Sequence, residues 1–427
     1  MTLRLGVFWS IGRPARESPV FDVLLYDRPI GTVQRRGRGI RFQYLPEALE
    51  DDSLPGISLA LPKSSAPYPD SKAGPYFRNL LPEQAYRKLV ATAAGKGTED
   101  LALLGAIGGE CPGAVSIWPP DTRPASIPKY SRLSTEELGS LFSPGHATNL
   151  AAAVARGRLS LPGVQEKISL LRQDDGSWWL PLQGAVTSHI LKQAPSVFPG
   201  ILENELLCMA LAKAAGLNVA SADIAAPEVR IYCTERFDRP PGRKLHQEDF
   251  CQILTVEPLS KYENEGGPGL GACAEILRRH SALPADDLKR LTQWTAFNYL
   301  IGNEDAHAKN LALLYRADGL HLTPFYDLVS TEVYPLLERR LAMKIGRATD
   351  IRNVQRSDWQ RFAAVLRLPW PLVRSWLLEV SDTLTRALPG TVDHCHRTFG
   401  DSEVHAAIGA IVDGQSRTLQ RELARGP

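Results

Sequence analysis

Paired cysteines are missing from this chain. Its six cysteines, Cys111, Cys208, Cys233, Cys251, Cys273 and Cys395, stand singly with no C-x-x-C pair. That spacing excludes a disulfide framework and reads as cytoplasmic usage, with thiols acting as small buried hydrophobes. Long apolar runs are missing too. The opening stretch MTLRLGVFWSIGRPARES is too short to span a bilayer and carries no small-residue cleavage pattern, so neither secretion nor a membrane partner is expected. An excess of charge of one sign is missing as well. A formal net charge of +2 over 427 residues gives no bulk electrostatic reason to expect nucleic-acid binding, although a local basic patch stays open. No internal repeat or low-complexity tract occurs. What remains is an ordinary globular composition, 44% hydrophobic and 22% charged, with length for two or three domains and a large core.

The first part alternates like strands broken by turns: VFDVLLY, a turn at Asp27-Arg28-Pro29, GTVQ, the turn RRGRG, then IRFQYL. A proline-studded stretch follows, then a helical pattern from Tyr76 through about Thr92, and SIWPPDTRPASIP closes the unit near residue 120. A short helical segment starts at Ser134. The next unit opens at Arg158 with LSLPGVQEK, leading through ISLLR and a Gln-Asp-Asp-Gly turn to SWWLPL, a hairpin. The strand SHILK ends at Lys192, and ILENELLCMALAKAA has helical spacing up to a natural C-cap at Gly216. The strand VRIYC runs into TERFDRP. Beyond residue 245 the pattern is mainly helical, apart from a hairpin within residues 311–328.

The chemistry concentrates in NYLIGNEDAHAKN. Asp305 and Asn310 stand five residues apart, the spacing of the protein-kinase catalytic loop D-x-x-x-x-N. In such loops the Asp accepts the substrate hydroxyl's proton and the Asn holds magnesium, while a further Asp holds magnesium against the phosphates. Asp327, ending an apolar strand 17 residues after Asn310, is placed for that second metal ligand. The fragment by itself also fits a helix C-cap, so upstream features decide. Ser160 to Lys167, SLPGVQEK, is a small-residue loop before a hairpin, with backbone N–H groups to offer phosphate oxygens. Lys192 ends a strand where a point charge meets α/β-phosphates, and Glu205, 13 residues on, is a partner for it. Glu235 and Phe237 would form the adenine-reading hinge. His307 suits a structural or phosphate-facing role.

Two motifs are set aside. Gly266-Gly-Pro-Gly-Leu-Gly271 imitates a phosphate loop, but its proline removes a donor and no strand feeds it, so it reads as a structured turn bordering the site. Asp393-His394-Cys395-His396 cannot turn four adjacent side chains to one metal, and no second ligand pair lies nearby in sequence.

Assembled in order, SLPGVQEKISLL, ENELLCMALAKAAGLNVA, TERFDR, HQEDFCQIL, KYENEGGPG, NYLIGNEDAHAKN and LTPFYDLVS resemble the HipA family of serine/threonine kinases, the toxin halves of bacterial toxin–antitoxin pairs. The resemblance covers nearly everything after about residue 18, including the family's N-terminal domain; residues 1–17 have no counterpart and read as a start-site extension. It implies an α+β, protein-kinase-like bilobal fold. A β-rich N-terminal domain would occupy residues 1–125, a kinase N-lobe with phosphate loop and hinge residues 126–240, and a mainly helical C-lobe residues 241–427. It implies ATP and Mg2+ as cofactors. Asp305 would be the catalytic base and Asn310 and Asp327 the metal ligands. Lys192 would contact ATP together with Gly163, Val164, Gln165, Lys167, Glu235, Phe237 and His307, and Ser160 would be the autophosphorylated serine. His307 also resembles the histidine of the lipid-kinase D-x-H-x-x-N loop. Pro162 departs from the family's usual Ala and removes one N–H donor. The implied partners are a HipB-like helix-turn-helix antitoxin, operator DNA reached mainly through it, and a protein substrate in translation, an aminoacyl-tRNA synthetase, whose phosphorylation would arrest growth. Two other readings stay open: a catalytically silent nucleotide-binding co-repressor, and a metal-dependent phosphohydrolase, which leaves Lys192 and the Ser160 loop unexplained.

Overall fold

The computed structural model describes residues 19–424 except 121, 144–146, 193, 196 and 227, so the expected extension at residues 1–17 lies outside the described residues. Strands Val20–Leu25, Arg28–Arg36 and Gly39–Tyr44 form an antiparallel meander, and Val115–Trp118 pairs with the free side of the first. The first turn is Tyr26-Asp27, at φ 53° and 60°, one residue earlier than expected. Pro29 lies within the second strand opposite Leu24, beside a register shift between Val23 and Leu24. An irregularity of this kind tolerates a residue with no N–H to donate.

The single helix expected from Tyr76 is instead two, Asp70–Arg78 and Gln84–Ala93. Pro82 explains the break, because it lacks an amide hydrogen and drives Leu81 away from helical torsions. The break is used: Pro82 bridges to Gly163 in the segment expected to hold phosphates.

A second sheet, antiparallel throughout, runs in the order Lys129–Leu133, Trp178–Leu182, Lys167–Arg172, His189–Lys192, Tyr232–Glu235, Asp223–Ile224. The strand expected from Val229 starts only at Tyr232, because residues 228–230 form a turn with Arg230 at φ 47°. Helix Ile201–Ala214 stops as expected, with Gly216 at φ 82° just beyond it. The remaining chain is mainly helical around a small sheet of Gln247–Asp249, Ala312–Arg316 and Gly319–Leu322. That hairpin ends at Leu322, so Asp327 sits in the following loop rather than on the strand.

The architecture is α+β and kinase-like, strand-rich first and helical last. One buried cluster joins Phe21, Val23 and Phe42 of the first sheet to Leu170, Leu191 and Cys233 of the second. Another, with Trp294, Phe297 and Trp359, fills the helical lobe. The six cysteines are all buried and unpaired. No helix among the described residues is long and apolar enough to cross a membrane.

His246 sits where the first sheet meets the helical lobe. Its Nδ1 accepts from the Ala114 N–H at 3.3 Å, and Nε2 lies 2.9 Å from the Ile57 carbonyl, an arrangement that needs the neutral ring. Burial depresses its pKa from 6.5 to about 4. Above the unfolded value both states are neutral and the contact contributes fully. As pH falls through this window the unfolded chain takes the proton first, and up to about 3 kcal/mol is lost. Denaturant unfolding from about pH 7 to about pH 4 should show this slope in the wild type and a reduced one in His246→Gln. Equal slopes would refute the assignment.

Candidate active site

Between the lobes lies a cleft of about 1080 Å³, lined by the segment from Leu161 to Lys167, by Lys192 and Glu235, and by Asp305, Asn310 and Asp327. Lys192 is at its centre. The strand His189–Lys192 delivers its ammonium 2.6 Å from Glu205 and 2.7 Å from Asp327. Burial alone would pull this amine's pKa down; the Asp327 and Glu205 carboxylates more than offset that and raise it. The Lys192 charge in turn holds the Asp327 carboxyl well below the usual range, so it stays ionised. Asp327 has φ 60°, a left-handed torsion that side-chain-bearing residues seldom adopt outside sites where the surroundings enforce it.

Asn310 reaches the same carboxylate, its Nδ2 lying 3.2 Å from Asp327 Oδ2 while its Oδ1 accepts from the His307 N–H at 3.0 Å. The carboxylate and carboxamide are thus in contact through the amide nitrogen; both groups also carry the hard oxygen donors that magnesium takes, which would face one ion once that contact gives way. Asp305 opens onto the cleft and accepts a 2.8 Å hydrogen bond from the Tyr262 hydroxyl. The cleft walls around it raise its pKa, a shift toward the range useful in a general base. His307 is buried against Tyr262 and kept neutral by burial, the Lys261 charge acting in the same direction.

The segment expected to cover phosphates is held by the N-terminal part of the chain. The Ser160 N–H donates to the Glu110 carbonyl, the Glu110 N–H to the Arg158 carbonyl, and the Ser160 hydroxyl to the Leu80 carbonyl at 2.6 Å. At its far end the Gly163 carbonyl accepts from the Glu83 N–H at 3.0 Å. Gly163 has φ 109°, and a Cβ there would lie 2.8 Å from Lys167 Nζ, so only glycine suits the position. The Glu83 side chain meets Lys309, beside Asn310, at 2.6 Å, with both groups nearly excluded from solvent.

Every expected site residue except Ser160 therefore borders the cleft, and Ser160 is buried behind it. The Glu235 N–H is taken by the Ser221 hydroxyl at 2.8 Å, while Phe237 tilts against Tyr326. The glycine-rich turn expected to border the site does not line the cleft; the residues just before it do, and among them Tyr262 touches Asp305. The Glu83–Lys309 pair and a buried network went unread. In that network Glu110 lies 3.1 Å from Arg236 and 3.0 Å from Arg239, and Asp238 lies 2.8 Å from Arg236. The available signal was Lys309 itself, a charge next to Asn310 in a buried-looking loop.

Two family models match the chain: the HipA N-terminal domain over residues 21–118 and the HipA-like C-terminal domain over residues 159–388. The Sinorhizobium fredii protein Y4mE is 36% identical over 91% of this chain and 95% of its own. The serine/threonine-protein kinase toxin HipA of Shewanella oneidensis is 31% identical over 73% of this chain and 75% of its own. The solved complex of HipA, HipB and operator DNA from Shewanella oneidensis MR-1 contains a chain of the same fold, with a TM-score of 0.79 at 24% identity, covering 94% of this chain and 97% of that one.

Removing one partner of a buried pair strands the other's charge, at about 3–5 kcal/mol. Glu83→Ala should therefore lower the unfolding free energy by that order and depress activity, because Lys309 lies inside the catalytic loop. The double change Glu83→Met with Lys309→Met should recover much of the stability without recovering the rate. If the double variant is as active as the wild type, the pair does not position the loop.

Proposed function

The chain belongs to the HipA family and is a serine/threonine protein kinase, and from that premise we propose that it is the ATP- and magnesium-dependent toxin of a type II toxin–antitoxin pair. One observation carries the catalytic part of this reading: Lys192, Glu205, Asp327 and Asn310 form a continuous set of contacts of 2.6–3.2 Å in the same cleft as Asp305. Asp305 would accept the proton of a Ser or Thr hydroxyl as its oxygen attacks the γ-phosphorus and ADP leaves. The Tyr262 hydroxyl now on Asp305 would give way to that substrate hydroxyl. Lys192 would hold the α/β-phosphates, with Glu205 keeping its ammonium aimed, and the segment Gly163, Val164, Gln165 and Lys167 would cover the phosphates. Asp327 and Asn310 would hold magnesium, which neutralises charge on the β- and γ-phosphates. Glu235 and Phe237 would flank the adenine.

By family likeness, the partner is a HipB-like helix-turn-helix antitoxin that makes most contacts with operator DNA. The substrate is a translation component, an aminoacyl-tRNA synthetase in the first instance. Phosphoproteomics of cells expressing the wild type against Asp305→Asn would identify it. Transfer from labelled ATP should fall about 10²–10⁴-fold in both Asp305→Asn and Asp327→Asn. Near-wild-type transfer by both would sink the mechanism, and a wild type that binds ATP without turnover would favour the silent co-repressor.

Ser160 is proposed as the autophosphorylation site and off-switch. Its hydroxyl is fully buried on the Leu80 carbonyl, so receiving a phosphate requires the segment to leave its seat. Phosphate adds about −1.5 to −2 charges, which that seat, lined by carbonyl oxygens, would repel. Of the two nearby arginines, Arg156 is exposed. Arg158 is engaged by the Gly105 and Ile117 carbonyls at 3.0 Å and lies over Trp118. Wild type incubated with ATP should acquire phosphate at Ser160 by mass spectrometry, while Asp305→Asn should not. The phosphoform should bind ATP more weakly and be cut faster by protease between residues 158 and 167. Unchanged ATP affinity would overturn the switch.

A further inference from the structure

The helix Trp370–Phe399 ends at Gly400, whose φ of 96° turns the chain into the helix Glu403–Ala424. This turn gathers three side chains that sequence spacing leaves unconnected. His396 lies in the last turn of the first helix, Asp401 in the link, and His405 near the start of the second. One ligand atom from each falls within 4.8 Å of the others. The run Asp393-His394-Cys395-His396 thus contributes only His396, and the missing second pair of ligands comes from beyond the helix end.

The polar chemistry of these groups is incomplete as it stands. His405 is 1% exposed, yet neither ring nitrogen makes a hydrogen bond of normal geometry. The Glu203 carbonyl is close enough to favour its protonated form, but burial and the His396 ring prevail and keep it neutral. His396 Nε2 approaches Asp401 Oδ1 at 3.2 Å without hydrogen-bond alignment. The two rings lie 4.9 Å apart, inclined by only 21°. A buried imidazole with idle nitrogens is costly unless something satisfies it. Two imidazoles and a carboxylate form a donor set for Zn2+ and its borderline neighbours rather than for Mg2+, leaving the fourth position to water. A backbone carbonyl beside one ring nitrogen is the usual outer partner of a ligating histidine.

We propose that His396, Asp401 and His405 form a binding site for one divalent transition-metal ion, Zn2+ foremost, that clasps the turn between the two C-terminal helices. The site is separate from the magnesium ligands Asp327 and Asn310 and does not depend on the kinase reading. It lies against the start of helix Ile201–Ala214: Val404 packs so tightly on Gly200 that a Cβ there would lie 2.5 Å from it. Glu205, the partner of Lys192, is on that same helix.

The test is calorimetric titration of ZnCl2 into the chelator-treated full chain, without nucleotide or magnesium. Variants His396→Gln, Asp401→Asn and Asp327→Asn run in parallel. The side chains of His396 and Asp401 are 36% and 86% exposed, so both variants should fold, as thermal melting without metal will verify. The wild type and Asp327→Asn should each bind one equivalent and gain melting temperature with it. His396→Gln should bind on the order of tenfold or more weakly. Co2+ in place of Zn2+ should give the visible spectrum of a four-coordinate ion, lost in the same variant. A wild type with no Zn2+ affinity, or His396→Gln and Asp401→Asn both binding like the wild type, would overturn the site and leave a stacked histidine pair.

Discussion

A buried ammonium must meet a carboxylate, and four lysines line this cleft, three of which, Lys167, Lys192 and Lys309, lie close enough to act on one another. Lys192 meets Glu205 and Asp327, and Lys309 meets Glu83. Lys167 is the least compensated. Burial, together with the Lys192 and Lys309 charges, pulls its pKa down to about 8, with Asp327 and Glu83 opposing only in part. The ammonium of Lys167 is thus a charge that the carboxylates around it compensate only in part. In the nucleotide-binding reading proposed above, a bound phosphate would supply the missing anion and raise that pKa back toward its ordinary value. Electrostatics of this kind is set in place before the ligand arrives, which is how preorganised sites avoid reorganisation during the reaction.

The same constraint explains why the strand-rich N-terminal part is built into the active site. Glu83 completes Lys309, and its backbone N–H holds Gly163. Glu110 compensates Arg236 and Arg239 just past the strand Tyr232–Glu235, while its backbone bonds on both sides of Leu159. These contacts are buried, so separating the first sheet from the kinase lobes would strand several charges at once. The continuous apolar cluster from Phe21 to Cys233 acts in the same direction.

What the sequence disclosed was local. The Asp305-to-Asn310 spacing, the strand ending at Lys192 and the C-cap at Gly216 each depend on a few neighbouring residues, where periodicity and turn chemistry carry information. Lys309 and Glu83 are 226 residues apart, and no propensity encodes their meeting. The helix expected across Leu81–Glu83 failed for a legible reason, Pro82, although the purpose of the break, seating Gly163, appears only in three dimensions. His396 and His405 show the same limit: the first was dismissed for want of partners that lay across a helix end.

The clamp on the Ser160 segment sets the terms of any switch acting there. Leu80, Glu83 and Glu110 hold it by four hydrogen bonds, one of them from the Ser160 hydroxyl itself. Each net hydrogen bond is worth about 1 kcal/mol, so the seated form is favoured by a few kcal/mol and releases transiently. Phosphorylation of Ser160, as proposed, would remove the hydroxyl's bond and add repulsion from the Leu80 carbonyl, enough to reverse a balance of this size. A tighter clamp would keep Ser160 from any phosphate donor, and a looser one would leave the phosphates uncovered. In the switch proposed above, the modest strength of the N-terminal contacts is what would allow one segment to serve both as ATP cover and as acceptor.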